Sequence, residues 1–152
     1  MTTATSAPPS LTRAGFGRPA APVRMVHLGL GNFTRAHQAW YTEHAPDAAR
    51  WGIAAFAGRA AGITTELNAQ DGLFTLLVRG RDGDEPEVIS SLSAIHSGAD
   101  LAAWRGYLAS PDVAILTTTP SARSAPALKS FLIKQASGLA GPAPKLLRGE
   151  AI

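Results

Sequence analysis

The residues with the clearest chemical potential lie in one short stretch. Gly29-Leu30-Gly31 sits where an apolar run gives way to a helical period, and Asn32, Phe33 and Arg35 follow directly. Glycine opens backbone angles closed to other residues and removes the side chains that would keep an anion away from backbone N–H groups. A helix starting behind such a turn adds unpaired N–H groups and the positive end of its dipole. Together these features can hold a pyrophosphate. The dinucleotide fingerprint carries a third glycine, and Thr34 stands in that place. The glycine pair alone fits either a phosphate cradle or an ordinary tight turn before a helix. At the end of the second strand, where an acid would grip the adenosine ribose, the sequence reads Ala57-Gly58-Arg59-Ala60. Arg59 is either a partner for a 2′-phosphate, which points to NADP, or a solvated loop residue.

The elements that must position this stretch can be read from period and punctuation. Val23 to Leu30 is a short, mostly apolar run closed by glycines, as expected of a buried parallel strand. From Asn32 the period becomes helical, with Phe33, Ala36, His37, Trp40, Tyr41 and His44 on one side and Pro46 at the end. Gly52 to Ala57 reads as a second buried strand and Ile63 to Ala69 as a short helix. Gln70-Asp71-Gly72 marks a turn; Asp71 either shapes it or lies near a cofactor edge. Leu73 to Arg79 and Val88 to Ile95 read as strands joined by the polar loop Gly80 to Pro86, an antiparallel hairpin. Asp100 is placed to cap a helix from Leu101 to Ala109, with Leu101, Trp104, Tyr107 and Leu108 on one face. Val113 to Thr117 reads as a further buried strand. Pro8, Pro9, Pro19 and Pro22 make residues 1–22 a mobile, disordered leader.

Bulk composition limits the function classes. The 152 residues are 45% hydrophobic and 16% charged, a balance suited to a folded domain. There is no cysteine, which excludes disulfides and thiolate metal sites and fits a cytoplasmic protein. His37 and His44 lie seven apart, whereas zinc pairs on a helix are spaced by three or four, so no metal is expected. No apolar run reaches the ~20 residues that span a bilayer, so no membrane partner is expected. The pI of 9.8 invites a nucleic-acid reading. The charge, however, is uneven: residues 1–120 carry a net −1 and residues 121–152 a net +4. A phosphate-tracking surface needs clustered charge on a folded face, so nucleic acid is not an expected partner.

Val26-His-Leu-Gly-Leu-Gly-Asn-Phe-Thr-Arg-Ala-His-Gln-Ala-Trp-Tyr41 resembles the opening of the mannitol dehydrogenase family of long-chain, metal-independent polyol dehydrogenases. That family includes mannitol 2-dehydrogenases, mannitol-1-phosphate 5-dehydrogenases and fructuronate reductases. Trp51-Gly52-Ile53 and Gln70-Asp71-Gly72-Leu73-Phe74-Thr75-Leu76 match its next two landmarks, and the resemblance runs from about residue 23 to 117. It implies an α/β, Rossmann-type dinucleotide-binding domain, here partial over 23–117 and carrying the β-hairpin read above as an insertion, binding NAD or, alternatively, NADP. It implies Gly29, Leu30, Gly31, Asn32, Phe33 and Arg35 as the dinucleotide segment. Arg35 would bond phosphate or form a surface salt bridge; Phe33 would wall the cofactor or start the helix core. Trp40, Trp51 and Trp104 are expected as packing residues and His37 as a hydrogen-bonded helix residue.

The family takes the proton of a secondary alcohol with a lysine in a Lys-x-x-x-x-Asn-x-x-His pattern in a second domain, while hydride passes to the nicotinamide. Lys129, Lys134 and Lys145 are the only lysines here, and none begins that pattern. After Val113 to Thr117 the family continues into an acid-bearing segment, where this sequence has Thr118-Thr119-Pro120. Residues 118–152 are therefore expected as a basic tail outside the family pattern, poorly ordered or a short helix, as a truncated or aberrant C-terminal part would be. Three functional expectations follow. The first is the cofactor part of a polyol dehydrogenase, without catalytic residues and inactive alone, acting on polyol or ketose only in a full-length protein. The second is a dinucleotide-binding module without catalysis, and the third a non-functional product.

Overall fold

The computed structural model describes residues 11–58, 61–81 and 83–119. Four parallel strands form the main sheet: β1 (Val23–Leu28), β2 (Gly52–Ala57), β5 (Leu92–Ser97) and β6 (Ile115–Thr118), in the spatial order β5-β2-β1-β6. Counting these strands one to four along the chain gives the order 3-2-1-4. This is the arrangement of the doubly wound dinucleotide fold, with its switch point between β1 and β6. All six residues of β2 are buried, as the unbroken Gly-Ile-Ala-Ala-Phe-Ala run requires of a strand covered on both faces. Ile53, Ala55, Leu67, Ile89 and Leu92 centre the core.

Helical chain follows β1 in three consecutive pieces: α2 (Asn32–Thr34), a π-helical turn (Arg35–Ala39) and α3 (Trp40–Glu43). Of the expected aromatic face, Trp40 packs half-buried against the core as expected, but Phe33 and Tyr41 turn outward. Phe33 is 64% and Tyr41 66% exposed, whereas Thr34, Ala39 and Thr42 are buried. Small inward residues let the helix lie close to the sheet, and the π turn rotates the faces away from a regular 3.6 period. The same helix also engages the hairpin. Trp40 Nε1 donates to Glu87 Oε2 (2.9 Å) and His44 Nε2 lies 3.0 Å from Glu87 Oε1. Glu87 thus ties α3 to the hairpin.

That hairpin, β3 (Phe74–Gly80) with β4 (Gly83–Ile89), is antiparallel and longer than expected: pairing continues to Gly80↔Gly83, so most of the anticipated loop is strand. The strand expected over Val88 to Ile95 divides. Ile89 pairs with Phe74 in the hairpin, while Leu92 pairs with Ile53 in the main sheet. One strand cannot lie in both sheets, and Ser90-Ser91 makes the switch. Glu43 stabilises it by accepting from Ser90 N (2.8 Å) and Oγ (2.9 Å). Pro86 falls in β4, where no further described strand needs its missing N–H.

α4 spans Ala61–Ala69 and α5 spans Leu101–Ala109, the latter as expected, with Asp100 Oδ1 accepting from Ala103 N (3.0 Å). Trp104 anchors α5 in the core, and Leu101 stays 39% exposed. β6 begins two residues later than expected. It has a single described neighbour, so Ile115 and Leu116 are 37% and 40% exposed rather than buried.

Residues 11–22 depart from the mobile leader that their prolines suggest. A helical turn, α1 (Arg13–Phe16), is capped by Thr12. The Arg13 guanidinium donates to the carbonyls of Asp71 (2.9 Å), Ser90 (2.8 Å) and Leu92 (2.8 Å). A planar five-donor group can join three backbone acceptors that would otherwise face water. Residues 1–10 and the tail from Pro120 onward lie outside the described residues. Among the described residues no helix is long and apolar enough to cross a membrane.

Candidate dinucleotide site

The glycine turn leaves the carboxyl end of β1, beside β6, at the switch point where open α/β sheets bind ligands. Six of the seven expected site residues, all but Arg59, lie together on this turn and the helix start. Arg59 lies outside the described residues.

The two glycines serve different needs. Gly29 has φ +121°, a conformation L side chains rarely adopt, and a Cβ there would collide with the Thr119 hydroxyl. Its glycine is demanded by the protein itself. Gly31 has φ −96° and extended ψ, open to any residue, and a Cβ there would meet nothing within 4 Å. Nothing described inside the protein requires glycine at this position. The cleared space lies outside the backbone, at the N-cap of the helix, where Gly31 offers no side-chain cap. The first N–H groups of a helix have no partner within the helix, so this opening suits an anion. The donor set and the missing Cβ therefore fit a dinucleotide pyrophosphate.

Leu30 is buried and anchors the turn in the core. Asn32 opens α2, and its Oδ1 accepts a hydrogen bond from Arg35 Nη2. Arg35 Nε is buried without a hydrogen-bond partner, leaving an N–H donor unused at the helix start. Phe33 is not a core residue: its exposed ring stacks on His37, with centroids 4.4 Å apart. His37 is hydrogen-bonded within the helix, through Nδ1 to the Phe33 carbonyl (3.0 Å). Asp71 belongs to the opposite end of the sheet. It has φ +53°, and its carboxylate accepts from Arg13 N (3.0 Å) near the start of β5. It shapes a turn and lies away from the glycine loop.

Beneath the turn lies a group outside the expected site. His27, fully buried, pairs across the sheet with Thr117, and Nδ1 lies 2.7 Å from Thr117 Oγ1. On the other side Nε2 lies 2.7 Å from Thr34 Oγ1 and 3.0 Å from the Gly29 carbonyl. Thr34 Oγ1 donates to that same carbonyl (2.8 Å), and Gln38 Nε2 donates to Thr117 Oγ1 (2.8 Å). Burial holds the His27 imidazole below its ordinary pKa, although the Gly29 carbonyl pulls the other way, so it is neutral near pH 7. A polar residue inside an apolar strand run is the signal that would have marked it, because a buried imidazole needs partners.

The sequence model of the mannitol dehydrogenase Rossmann domain matches residues 23–139, more than half of the chain and past the point where the motif resemblance ended. An uncharacterized oxidoreductase of Escherichia coli, YeiQ, is 33% identical over 68% of this chain and 22% of its own length. The D-mannonate oxidoreductase of the same organism is 32% identical over 78% of this chain and 26% of its own length. Among solved structures, the mannitol 2-dehydrogenase of Pseudomonas fluorescens, in ternary complex with NAD and D-mannitol, superposes with a TM-score of 0.57. It shares 33% identity over 65% of this chain and 22% of that one. The chain thus spans about a quarter of the length of the relatives it matches.

Proposed function

The chain belongs to the mannitol dehydrogenase family, and from that premise we propose that it is the dinucleotide-holding part of an NAD(P)-dependent polyol oxidoreductase. The observation that carries this reading is Gly31: a glycine without internal necessity, opening space before uncapped helix N–H groups at the switch point of the sheet. In this reading the Gly29–Gly31 turn holds the pyrophosphate. Asn32 and Arg35 extend the donor set, the Arg35 guanidinium adding a charge-assisted bond. Phe33, already exposed, covers one side of the cofactor. The solved relative that holds NAD supports NAD as the ligand class.

When bound, the nicotinamide supplies the hydride acceptor for oxidising a secondary alcohol to a ketose, and the donor in reverse. The proton of the alcohol needs a base. This sequence holds no Lys-x-x-x-x-Asn-x-x-His pattern, so the 152-residue chain binds cofactor without turning over polyol by itself. Calorimetric titration with NADH and NADPH, beside an assay of mannitol oxidation and fructose reduction, tests both halves. Micromolar binding without turnover is expected. The absence of binding to either dinucleotide would sink the cofactor assignment, and turnover would sink the division of labour. Tighter binding of NADPH, lost in Arg59→Ala, would assign Arg59 to a 2′-phosphate.

A further inference from the structure

Four polar groups converge on one backbone carbonyl under the glycine turn. The Gly29 oxygen accepts from Gly31 N (2.8 Å) and from Thr34 Oγ1 (2.8 Å), with His27 Nε2 at 3.0 Å and Thr119 Oγ1 at 3.2 Å. Because Thr34 donates its proton to that carbonyl, its oxygen accepts from His27, and Nε2 must carry the imidazole hydrogen. Nδ1 is then the acceptor for Thr117 Oγ1–H, being at 2.7 Å the nearer of its two acceptors (Gln38 Oε1 lies at 3.2 Å), and the Thr117 oxygen in turn accepts from Gln38 Nε2. Every donor in the chain Gln38→Thr117→His27→Thr34→Gly29 O has an acceptor. The tautomer is assigned from this network. The chain joins β6, β1, the helix and the turn.

In a trans peptide unit the carbonyl and the following N–H point in opposite directions. Drawing the Gly29 carbonyl toward the buried His27–Thr34 pair therefore turns the Leu30 N–H away from it, toward the open side of the turn. We propose that His27 and Thr34 are positioning residues. Their relay fixes the peptide between Gly29 and Leu30 so that its N–H is preset for a dinucleotide phosphate, with Thr34 acting through its hydroxyl. This rests on the cofactor reading above. A loose turn would have to be ordered at the moment of binding, and a preset one would not.

Thr34→Val keeps the shape of the side chain and removes the hydroxyl. Thr34→Ser keeps the hydroxyl and removes a buried methyl. If Thr34 only fills space, Ser is the more damaging change; if it acts by the relay, Val is. NADH affinity by calorimetry and backbone hydrogen exchange over Gly29–Asn32 without ligand are measured on the native chain and both variants. Val is expected to weaken NADH binding about five- to tenfold and to speed exchange across the turn by a similar factor, on the scale of one hydrogen bond. Ser is expected to stay within about twofold of native in both. Native-like behaviour of Val, or the reverse order, overturns the proposal. Should Val lack a cooperative melt, Thr34→Ala against Thr34→Ser is read in its place, since both are smaller and only Ser keeps the hydroxyl. If the native chain binds no NADH, the cofactor reading fails, while the exchange ranking still decides the relay.

Discussion

Substituting alanine separately for Gly29 and Gly31 should divide stability from binding. At Gly31 the backbone already lies in a region alanine favours, and the new methyl meets no atom within 4 Å. Loss of unfolded-chain entropy stabilises such a variant by about 0.4–1 kcal/mol. Replacing glycine by alanine at an N-cap costs a similar amount. The net change should stay within about 1 kcal/mol, a shift in Tm of roughly 5 °C or less for a domain of this size. The methyl nevertheless stands where a phosphate oxygen would approach the helix N–H groups. Losing one charge-assisted hydrogen bond, about 1.5–3 kcal/mol, corresponds to binding weaker by about 10- to 100-fold. Gly29→Ala should fail differently. Its φ of +121° and the clash with Thr119 strain the folded state by about 1–3 kcal/mol, visible as a lower Tm before any ligand is added. Thermal melts and NADH titrations on both variants are sufficient. Native affinity in Gly31→Ala would refute the reasoning, because the open space would then serve no phosphate.

Three other perturbations separate roles that proximity alone confuses. Phe33→Ala should leave stability within about 0.5 kcal/mol, because the ring is exposed, yet weaken NADH binding; unchanged affinity would remove Phe33 from the site. Arg13→Ala should destabilise by about 1–3 kcal/mol in urea, through the Ser90 and Leu92 carbonyls it bonds, and leave NADH affinity alone because these lie at the other end of the strands. The imidazole of His27 titrates below its usual 6.5 when folded, so the unfolded chain binds more protons beneath that pH. Native stability should therefore fall on acidification below about pH 6.5, by at most about 1.4 kcal/mol per pH unit, and the native-minus-His27→Gln difference should shrink with it. Its partners Thr34, Thr117 and the Gly29 carbonyl carry no titratable group, and His37, His44 and His96 cancel in the comparison. A difference that is flat between pH 7.5 and 5.5 would contradict this.

The parts of the fold legible in sequence are those set by local chemistry. The unbroken apolar run of β2, the Asp100 cap of α5 and the glycine turn each announce themselves within a few residues. What stayed hidden depends on partners distant in the chain. Thr117 is 90 residues from His27, so nothing local marks the pair. The break at Ser90-Ser91 follows from two sheets competing for one apolar run, with Glu43 satisfying the exposed backbone from 47 residues away. The helix after the turn misleads for another reason. Phe33 and Tyr41 point outward, Trp40 packs only half-buried against the core, and the buried positions are Thr34, Ala39 and Thr42, which a hydrophobic period cannot reveal. Of the seven expected site residues, six cluster because the motif itself is contiguous. The support beneath them was not legible, since it is built from three separate elements.

The same support explains how the turn does without the third glycine of the dinucleotide fingerprint. That glycine serves close packing of helix on strand. Here Thr34 is fully buried at the position, and its hydroxyl lies 2.7 Å from His27 Nε2 and 2.8 Å from the Gly29 carbonyl, so the β-branched side chain is part of the contact between helix and strand. Restoring the fingerprint by Thr34→Gly should accordingly harm the protein. It removes a buried methyl and hydroxyl, adds glycine to a helix, and deprives the buried His27 N–H of its nearest acceptor. Those losses amount to roughly 2–4 kcal/mol together. Urea denaturation of native and variant chains measures the difference. A Thr34→Gly chain as stable as the native one would mean that Thr34 merely occupies space, and that the buried histidine beneath the turn holds nothing in place.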